Sequence, residues 1–224
     1  MKRYGLLGKE LSYSFSADYF SEKFSTENIN NSEYLNFEID TIERFPELLA
    51  QNKNLSGLNV TIPYKESVIP YLDEIDSVAA AIGAVNTIKF EANGKLKGFN
   101  TDVIGFRNSI KPFLDPNHSR ALIFGTGGAS KAIAYVLSNL GIPFYFVSRK
   151  PSSAKEINYT DLDSISIEPF RFLINCTPLG TFPNVNEIIP IETNAIGGKH
   201  LVYDLVYNPK ESRLLQIAKQ QGAI

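Results

Sequence analysis

The sequence predicts an α/β protein of two domains with a cleft between them. Apolar strand runs alternate with helical segments over the whole chain, and one such run leads through clustered glycines into an alanine-rich helix. We expect the first domain, with a mostly parallel sheet, at residues 1–111 and the second at 112–224. The segment 111–120 holds two prolines and several polar residues, which is typical of a connection between domains.

The first domain is predicted to alternate strands and helices. Strands are expected at 4–7, 35–39, 58–62, 85–91 and 95–99, and helices at 16–24, at 45–52, before Gly83 and after Asp102. Ser16 is expected to cap the first helix. Asn93-Gly94 indicates a hairpin between the last two strands, so one antiparallel pair should join the parallel sheet.

The second domain is predicted to consist of strands joined by helical crossovers. Strands are expected at 121–124, 144–147, 172–175 and 201–207, with a helix from the glycines to about residue 140. For the last helix we predict Asn208 as N-cap, Pro209 at the first helical position and a stop at Gly222. Glu211, three residues after the predicted cap, fits this start.

Composition and charge limit the kinds of partner. A net charge of −2 over 224 residues offers no general attraction to nucleic acid or to an anionic membrane. One cysteine and two isolated histidines give neither a disulfide nor zinc-ligand spacing, which predicts metal-independent chemistry, with Cys176 as a buried structural thiol. No signal peptide or membrane span is expected, and we predict a soluble cytoplasmic protein that binds small molecules.

The clustered glycines suit the pyrophosphate of a dinucleotide. They allow a tight strand-to-helix turn and a close approach of ligand to backbone, while the N–H groups at the helix start face the phosphates. The turn consists of Gly125, Thr126, Gly127, Gly128, Ala129 and Ser130. Because Ser130 occupies the usual third glycine position, a plain strand-turn-helix is the alternative. A βαβ continuation to 144–147 favours a Rossmann-like cofactor domain.

The residues after the second strand of this domain bear on the choice of cofactor. In this fold an acidic residue about 20 positions past the glycines binds the NAD ribose, whereas arginine there accommodates the 2′-phosphate of NADP. This chain has Ser148, Arg149 and Lys150 at that place, so the sequence favours NADP. The alternative is a solvated basic loop end.

Polar side chains cluster where the strands of the first domain end. They are Ser12, Ser14, Ser16, Asn59, Thr61, Lys65, Asn86, Thr87, Asn100, Thr101 and Asp102. Such a set suits a small hydroxylated ring, because each buried polar group left unpaired costs about 1–3 kcal/mol. Individually, these residue types are also common as caps and turn formers.

Lys65 and Asp102 are the candidates for proton transfer. Hydride transfer to a carbonyl leaves an alkoxide that must take up a proton, so an ionisable group has to lie within hydrogen-bond reach of that oxygen. The alternative is an exposed lysine and an aspartate that caps the following helix.

Several motifs taken together resemble shikimate dehydrogenases over nearly the whole chain. The most specific are Asn59-Val-Thr-Ile-Pro-Tyr-Lys65 and Asp204-Leu-Val-Tyr-Asn-Pro209. The others are Gly8-Lys-Glu-Leu-Ser-Tyr-Ser14-Phe-Ser16, Ile82-Gly-Ala-Val-Asn86-Thr87, Gly98-Phe-Asn100-Thr-Asp102, the Gly125 turn and Asn175-Cys-Thr177-Pro178.

The resemblance implies NADP-dependent, reversible reduction of 3-dehydroshikimate to shikimate, on the route to chorismate and the aromatic amino acids. It implies catalysis by Lys65 and Asp102, and a monomer or homodimer is expected. The implied substrate residues are Ser14, Ser16, Thr61, Lys65, Asn86, Asp102 and Tyr207. The implied cofactor residues are Gly125 to Ser130, Ser148, Arg149, Lys150, Thr177 and Leu205.

Departures from the family pattern leave alternatives open. Ser148 and Ser153 stand where the family often has asparagine and a second basic residue, which leaves the strength of the preference for NADP open but not its direction. The family's helices after Gly222, which return to the first domain, are expected to be absent from this chain. A quinate or related cyclic hydroxy-acid dehydrogenase, or a non-catalytic relative, remains the alternative.

Overall fold

The computed structural model describes residues 1–12, 14–162 and 167–224. The chain divides into two compact units, Met1–Thr101 and Asp102–Ile224. Each unit contains one sheet with helices packed on it, so the predicted two-domain α/β class is confirmed.

The first unit is built on a mixed six-stranded sheet. Its elements are β1 (Lys2–Gly8), α1 (Ser16–Thr26), β2 (Ser32–Glu38), α2 (Phe45–Gln51), β3 (Leu55–Val60), β4 (Glu74–Ile75), α3 (Ser77–Ile82), β5 (Thr87–Phe90) and β6 (Leu96–Phe99). The strand order is β2-β1-β3-β5-β6-β4. β1 is parallel to β2 and β3, and β5 runs antiparallel to β6, as the Asn93-Gly94 signal predicted. β5 also runs antiparallel to β3, so the sheet has two antiparallel pairs and not the single pair expected.

The two faces of this sheet bury different side chains. One face forms the main core with Leu7, Leu58 and Ile88, closed by Phe45 of α2. The opposite face carries α1, whose aromatic side chains pack with Leu6, Leu11 and Tyr34. Side chains alternate along each strand, so a one-residue change of register would exchange these two sets.

Three expectations for the first unit were wrong. Ser16 does not cap α1, since Phe15 is the N-cap residue and no side chain caps the helix. The strand expected at 35–39 is β2, which begins at Ser32, three residues before the predicted start. β3 ends at Val60 and begins at Leu55, three residues before the predicted start.

The second unit is built on a parallel five-stranded sheet. Its elements are α4 (Asp102–Ile110), β7 (Ala121–Phe124), α5 (Gly128–Asn139), β8 (Phe144–Ser148), β9 (Glu156–Asn158), α6 (Tyr159–Leu162), β10 (Phe172–Asn175), β11 (Leu201–Asp204) and α7 (Arg213–Gln220). The strand order is β11-β10-β7-β8-β9, with every pair parallel. Residues 121–124 and 172–175 are all buried, as expected for central strands covered on both faces.

The start of α7 differs from the prediction. Ser212, and not Asn208, is the N-cap residue, and its hydroxyl accepts a hydrogen bond from the Leu215 N–H at 3.4 Å. The helix therefore begins four residues later than Asn208-Pro209 suggested, although Gly222 does follow its end with φ of 82°. β11 likewise ends at Asp204 and not at 207.

α4 packs within the second unit. Phe106 stacks on Phe172 of β10 at 6.2 Å between ring centroids, and α4 also packs against α5. The structural division thus falls before α4, whereas the sequence placed a boundary after it, at 111/112. The domain boundary between functional units stays a prediction.

Candidate cofactor and substrate site

The turn after β7 requires glycine at Gly125. Its φ of 104° lies in the region that residues with a side chain rarely adopt. Its N–H donates to the Val147 carbonyl at 2.9 Å, which ties the turn to β8. An added Cβ would lie 3.4 Å from Thr177 Cγ2, so the turn also passes close to the loop after β10.

The start of α5 is open to a ligand. Gly127 is the N-cap residue, with extended backbone, and a Cβ there would meet no heavy atom within 4 Å. The first N–H groups of a helix have no acceptor inside the helix and carry its positive dipole end. Ser130 does not obstruct them, because its side chain is buried and donates to the Gly127 carbonyl at 2.9 Å. The turn can thus hold a pyrophosphate.

The turn lies where the order of the strands reverses. β7 pairs with β8 on one side and with β10 on the other, and the chain leaves β7 at Gly125 and β10 at Cys176. Ligands of open parallel sheets bind beyond the carboxyl ends of the strands at such a point. The Gly125 turn, Thr177 and the residues after β8 share this edge of the sheet.

Arg149 follows β8 directly and is exposed, as is Lys150. The Arg149 carbonyl accepts from Asn158 Nδ2 at 3.4 Å, which connects this loop to the end of β9. Burial raises the pKa of Tyr159 to about 12, and the positive charge of Arg149 opposes that rise. Tyr159 in turn stacks on Phe124 of β7 at 6.2 Å between ring centroids.

A partly buried polar network joins the loops after β10 and β11. Asn175 is 1% exposed, and its Oδ1 accepts from the N–H and the hydroxyl of Thr177 at 3.0 and 2.7 Å. Its Nδ2 donates to Asp204 Oδ1 at 2.9 Å. Burial raises the pKa of Asp204 above its usual value, and hydrogen bonds from Ser212, Val206 and Asn175 offset part of that rise.

Asn86 is the centre of the polar cluster in the first unit. Its Oδ1 accepts from the Thr101 N–H at 2.9 Å and from the Thr87 hydroxyl at 3.0 Å, and its Nδ2 donates to Thr101 Oγ1 at 2.9 Å. Asn59 continues the cluster, because its Nδ2 donates to Thr87 Oγ1 at 3.4 Å and its Oδ1 accepts from the Tyr34 hydroxyl at 2.8 Å. Thr101 is the last residue of this unit, so Asn86 holds the backbone at the unit's end.

Lys65 lies in the turn that follows β3. It is partly buried, and its carbonyl accepts from the Val85 N–H at 2.7 Å, directly beside Asn86. Thr61 donates its N–H to the Leu7 carbonyl at 2.9 Å, which holds the start of the turn against β1. The predicted residues Thr61, Lys65 and Asn86 thus lie on neighbouring segments of one unit.

The remaining predicted residues divide between the units. Ser14 Oγ accepts from the Ser16 N–H at 3.2 Å, ahead of α1 in the first unit. In the second unit, Asp102 is the first residue of α4, Leu205 donates its N–H to the Asn175 carbonyl at 3.0 Å, and Tyr207 is 61% exposed. The roles assigned to all these residues stay predictions.

Sequence reasoning missed the polar residues that hold these loops. Asn175, Asp204 and Ser212 were not among the predicted site residues, although the first two begin motifs that carry the family resemblance. Tyr34 was also missed, because its place in the sequence indicates an ordinary aromatic residue of a strand. A polar residue at the last position of a buried strand was the available signal.

Cys176 is only half-buried, so the expectation of a buried thiol was wrong.

Across residues 1–12, 14–162 and 167–224, no group of three or more His, Cys, Asp or Glu side chains could hold a metal ion. In the same part of the chain, no helix has the length and apolar character to cross a membrane.

A parallel sheet in this strand order, with a glycine turn at its switch point, defines a Rossmann-type dinucleotide-binding domain. Residues 6–88 match the model of the shikimate dehydrogenase substrate binding domain. The shikimate dehydrogenase (NADP(+)) of Methanosphaera stadtmanae is 38% identical, and the match covers 98% of this chain and 83% of that protein.

Solved structures give the same result. Shikimate dehydrogenase 1 from Peptoclostridium difficile superimposes with a TM-score of 0.85 at 39% identity, over 100% of this chain and 84% of that one. Quinate dehydrogenase from Corynebacterium glutamicum, in complex with NAD, has a TM-score of 0.85 at 25% identity, over 99% and 86% of the two chains. The chain belongs to the shikimate dehydrogenase family.

Proposed function

We propose that this protein catalyses the NADP-dependent, reversible reduction of 3-dehydroshikimate to shikimate, on the route to chorismate. The observation that carries the proposal is the Gly125 turn with Arg149 on the adjacent strand end, in a chain that matches NADP(+)-dependent relatives over nearly its whole length. It acts in the cytoplasm as a monomer or homodimer, and its single cysteine is compatible with a reducing compartment.

The cofactor residues proposed here are those at the carboxyl edge of the second sheet. NADP supplies or accepts the hydride when it is bound. The open space over Gly127 fits a pyrophosphate at the start of α5, and Arg149 with Lys150 presents N–H donors for the 2′-phosphate. Thr177 and Leu205, both hydrogen-bonded to Asn175, border the same edge.

The substrate residues act on a hydroxylated ring. Ser14, Ser16, Thr61, Asn86 and Tyr207 supply hydroxyl and amide partners for the carboxylate and hydroxyl groups of the substrate. Lys65 and Asp102 bind the oxygen that changes between carbonyl and hydroxyl, and they donate or remove its proton as the reaction requires.

The test is the reduction of NADP⁺ by shikimate, followed by the absorbance of the NADPH that forms. We expect Lys65→Ala and Asp102→Ala each to lower kcat by about 10²–10⁴-fold, because a positioned general acid or base contributes that much. Lys89→Ala, at an exposed lysine of β5, is the matched control and should keep its activity. If the wild type itself has no turnover, this result would indicate a binding protein instead of an enzyme.

The second candidate is a quinate dehydrogenase, favoured by the similarity to the Corynebacterium glutamicum enzyme. Comparing kcat/KM for shikimate and quinate, each with NADP⁺ and NAD⁺, separates the two. The proposal predicts shikimate with NADP⁺ as the best pair. NAD⁺-linked oxidation of quinate, with no oxidation of shikimate, would replace it.

A further inference from the structure

Asp204 is a partly buried carboxylate that the proposed mechanism does not use. It is the last residue of β11, and both of its oxygens are hydrogen-bonded inside the second unit. Oδ1 accepts from Asn175 Nδ2 at 2.9 Å and from the Val206 N–H at 3.0 Å, and Oδ2 accepts from the Ser212 hydroxyl at 2.5 Å. A carboxylate is suited to such a junction because it accepts several hydrogen bonds at once.

The bonds of Asp204 reach two loops that carry predicted site residues. The bonds of Asp204 reach Thr177 through Asn175, because the N–H and the hydroxyl of Thr177 both donate to Asn175 Oδ1. The Val206 N–H is held directly, between Leu205 and Tyr207. One side chain thus connects a predicted cofactor residue to a predicted substrate residue.

We propose that Asp204 is a positioning residue that fixes the loops after β10 and β11 relative to one another, so that Thr177 and Tyr207 are held for cofactor and substrate. This inference rests on the proposed function. Asp204 acts through its hydrogen bonds and has no direct contact with either ligand in this role.

Asparagine at this position keeps the geometry. Its Oδ1 can accept from Asn175 and Val206, and its Nδ2 can donate to the Ser212 oxygen after the hydroxyl rotates. Burial, which disfavours the charged carboxylate, also favours a neutral amide here. A positioning role therefore needs the shape and acceptors of Asp204, and its charge is dispensable.

The experiment compares four variants of the full chain with the wild type. Asp204→Ala should raise KM for both NADP⁺ and shikimate by about tenfold or more, because the loss of the acceptor shared by Asn175 and Val206 misplaces both loops. Asp204→Asn should restore both values to within about threefold of the wild type. Asp204→Glu retains the charge but displaces the carboxylate by a methylene, so it should also raise both KM values by about tenfold or more. It provides the test if the alanine variant does not fold.

Ser212→Ala is the matched control. It removes the α7 cap and the bond to Oδ2, but it leaves the bonds of Oδ1 to Asn175 and Val206 in place. We expect a lower melting temperature with both KM values unchanged. Equal KM effects of Ser212→Ala and Asp204→Ala, or unchanged KM values in Asp204→Ala and Asp204→Glu, would overturn the inference. Absence of shikimate turnover in the wild type would instead overturn the proposed function.

Discussion

Arg149 is the residue on which the proposed choice of cofactor rests. It leaves β8 exposed, with its carbonyl held by Asn158 and its charge acting on Tyr159. Its planar guanidinium can donate two parallel hydrogen bonds to a phosphate, which a single ammonium cannot do. The Methanosphaera stadtmanae relative, a shikimate dehydrogenase named for NADP(+), is consistent with this assignment.

At this scale we predict that Arg149→Ala weakens the preference for NADP⁺. The variant should raise KM for NADP⁺ by about 10–100-fold, because a hydrogen bond to a charged group contributes about 1.5–3 kcal/mol, while KM for NAD⁺ changes little. Steady-state kinetics with both cofactors measure this. Arg120→Ala, at an exposed arginine just before β7, is the control and should leave both values unchanged. Equal effects on the two cofactors would contradict the assignment.

At the scale of elements, the turn from β7 to α5 combines a conformational and a spatial demand. Gly125 adopts a φ of 104°, and the Gly127 position leaves open space over the helix start. Gly125 is needed for the backbone conformation of the turn, and Gly127 leaves room for a ligand. Glycine therefore serves different purposes at these two positions.

Gly125→Ala should lower the free energy of unfolding by about 1–3 kcal/mol, because a side chain is strained in this conformation. Gly105→Ala provides a control of opposite sign. It lies on the exposed side of α4, an added Cβ meets no heavy atom within 4 Å, and alanine in a helix is favoured by about 0.5–1 kcal/mol. Urea denaturation of the two variants measures both changes, and a stable Gly125→Ala protein would show that the turn tolerates a side chain.

α7 shows why the ends of elements are hard to predict from sequence. Asn208-Pro209 matches a helix start locally, and so does Ser212. Ser212 caps the helix because its hydroxyl also donates to Asp204 at the end of β11, a contact that no local pattern contains. A bond between β11 and the helix start decided between two acceptable caps.

At the scale of the whole molecule, the chain consists of two units with separate sheets and separate cores. The core of the first unit gathers around Leu7 and Phe45, and that of the second around Leu122 and Phe124. The predicted boundary at 111/112 assigns α4 to the first domain. The stacking of Phe106 on Phe172 argues for 101/102 instead.

We predict that a fragment of residues 102–224 is more stable than one of residues 112–224. The shorter fragment loses the buried side chains of Val103, Phe106 and Ile110, and burial of each such side chain contributes about 1.5–3 kcal/mol. Circular dichroism melts of both fragments, with and without NADP⁺, measure the difference. Equal melting temperatures would favour the boundary at 111/112.

Much of the fold and part of the candidate site could be predicted from the sequence. The four apolar runs of the second domain became strands of its sheet, three of them inner strands and β11 an edge strand, and the hairpin around Asn93-Gly94 formed as its turn residues indicated. The side-chain partners of Asn86 and Asn175 could not be predicted. Their hydrogen bonds depend on which strand ends become neighbours, and the motif residues themselves do not encode that.

The sequence by itself determined the α/β class, the glycine turn, the arginine after β8 and membership of the shikimate dehydrogenase family. These follow from local patterns, because the conformational freedom of glycine and the apolar periodicity act over a few residues. Only the tertiary structure decided that Asn175 and Asp204 meet. They are 29 residues apart and lie opposite one another in the register of β10 and β11. That pairing is set by burial of the whole sheet, which no short segment specifies.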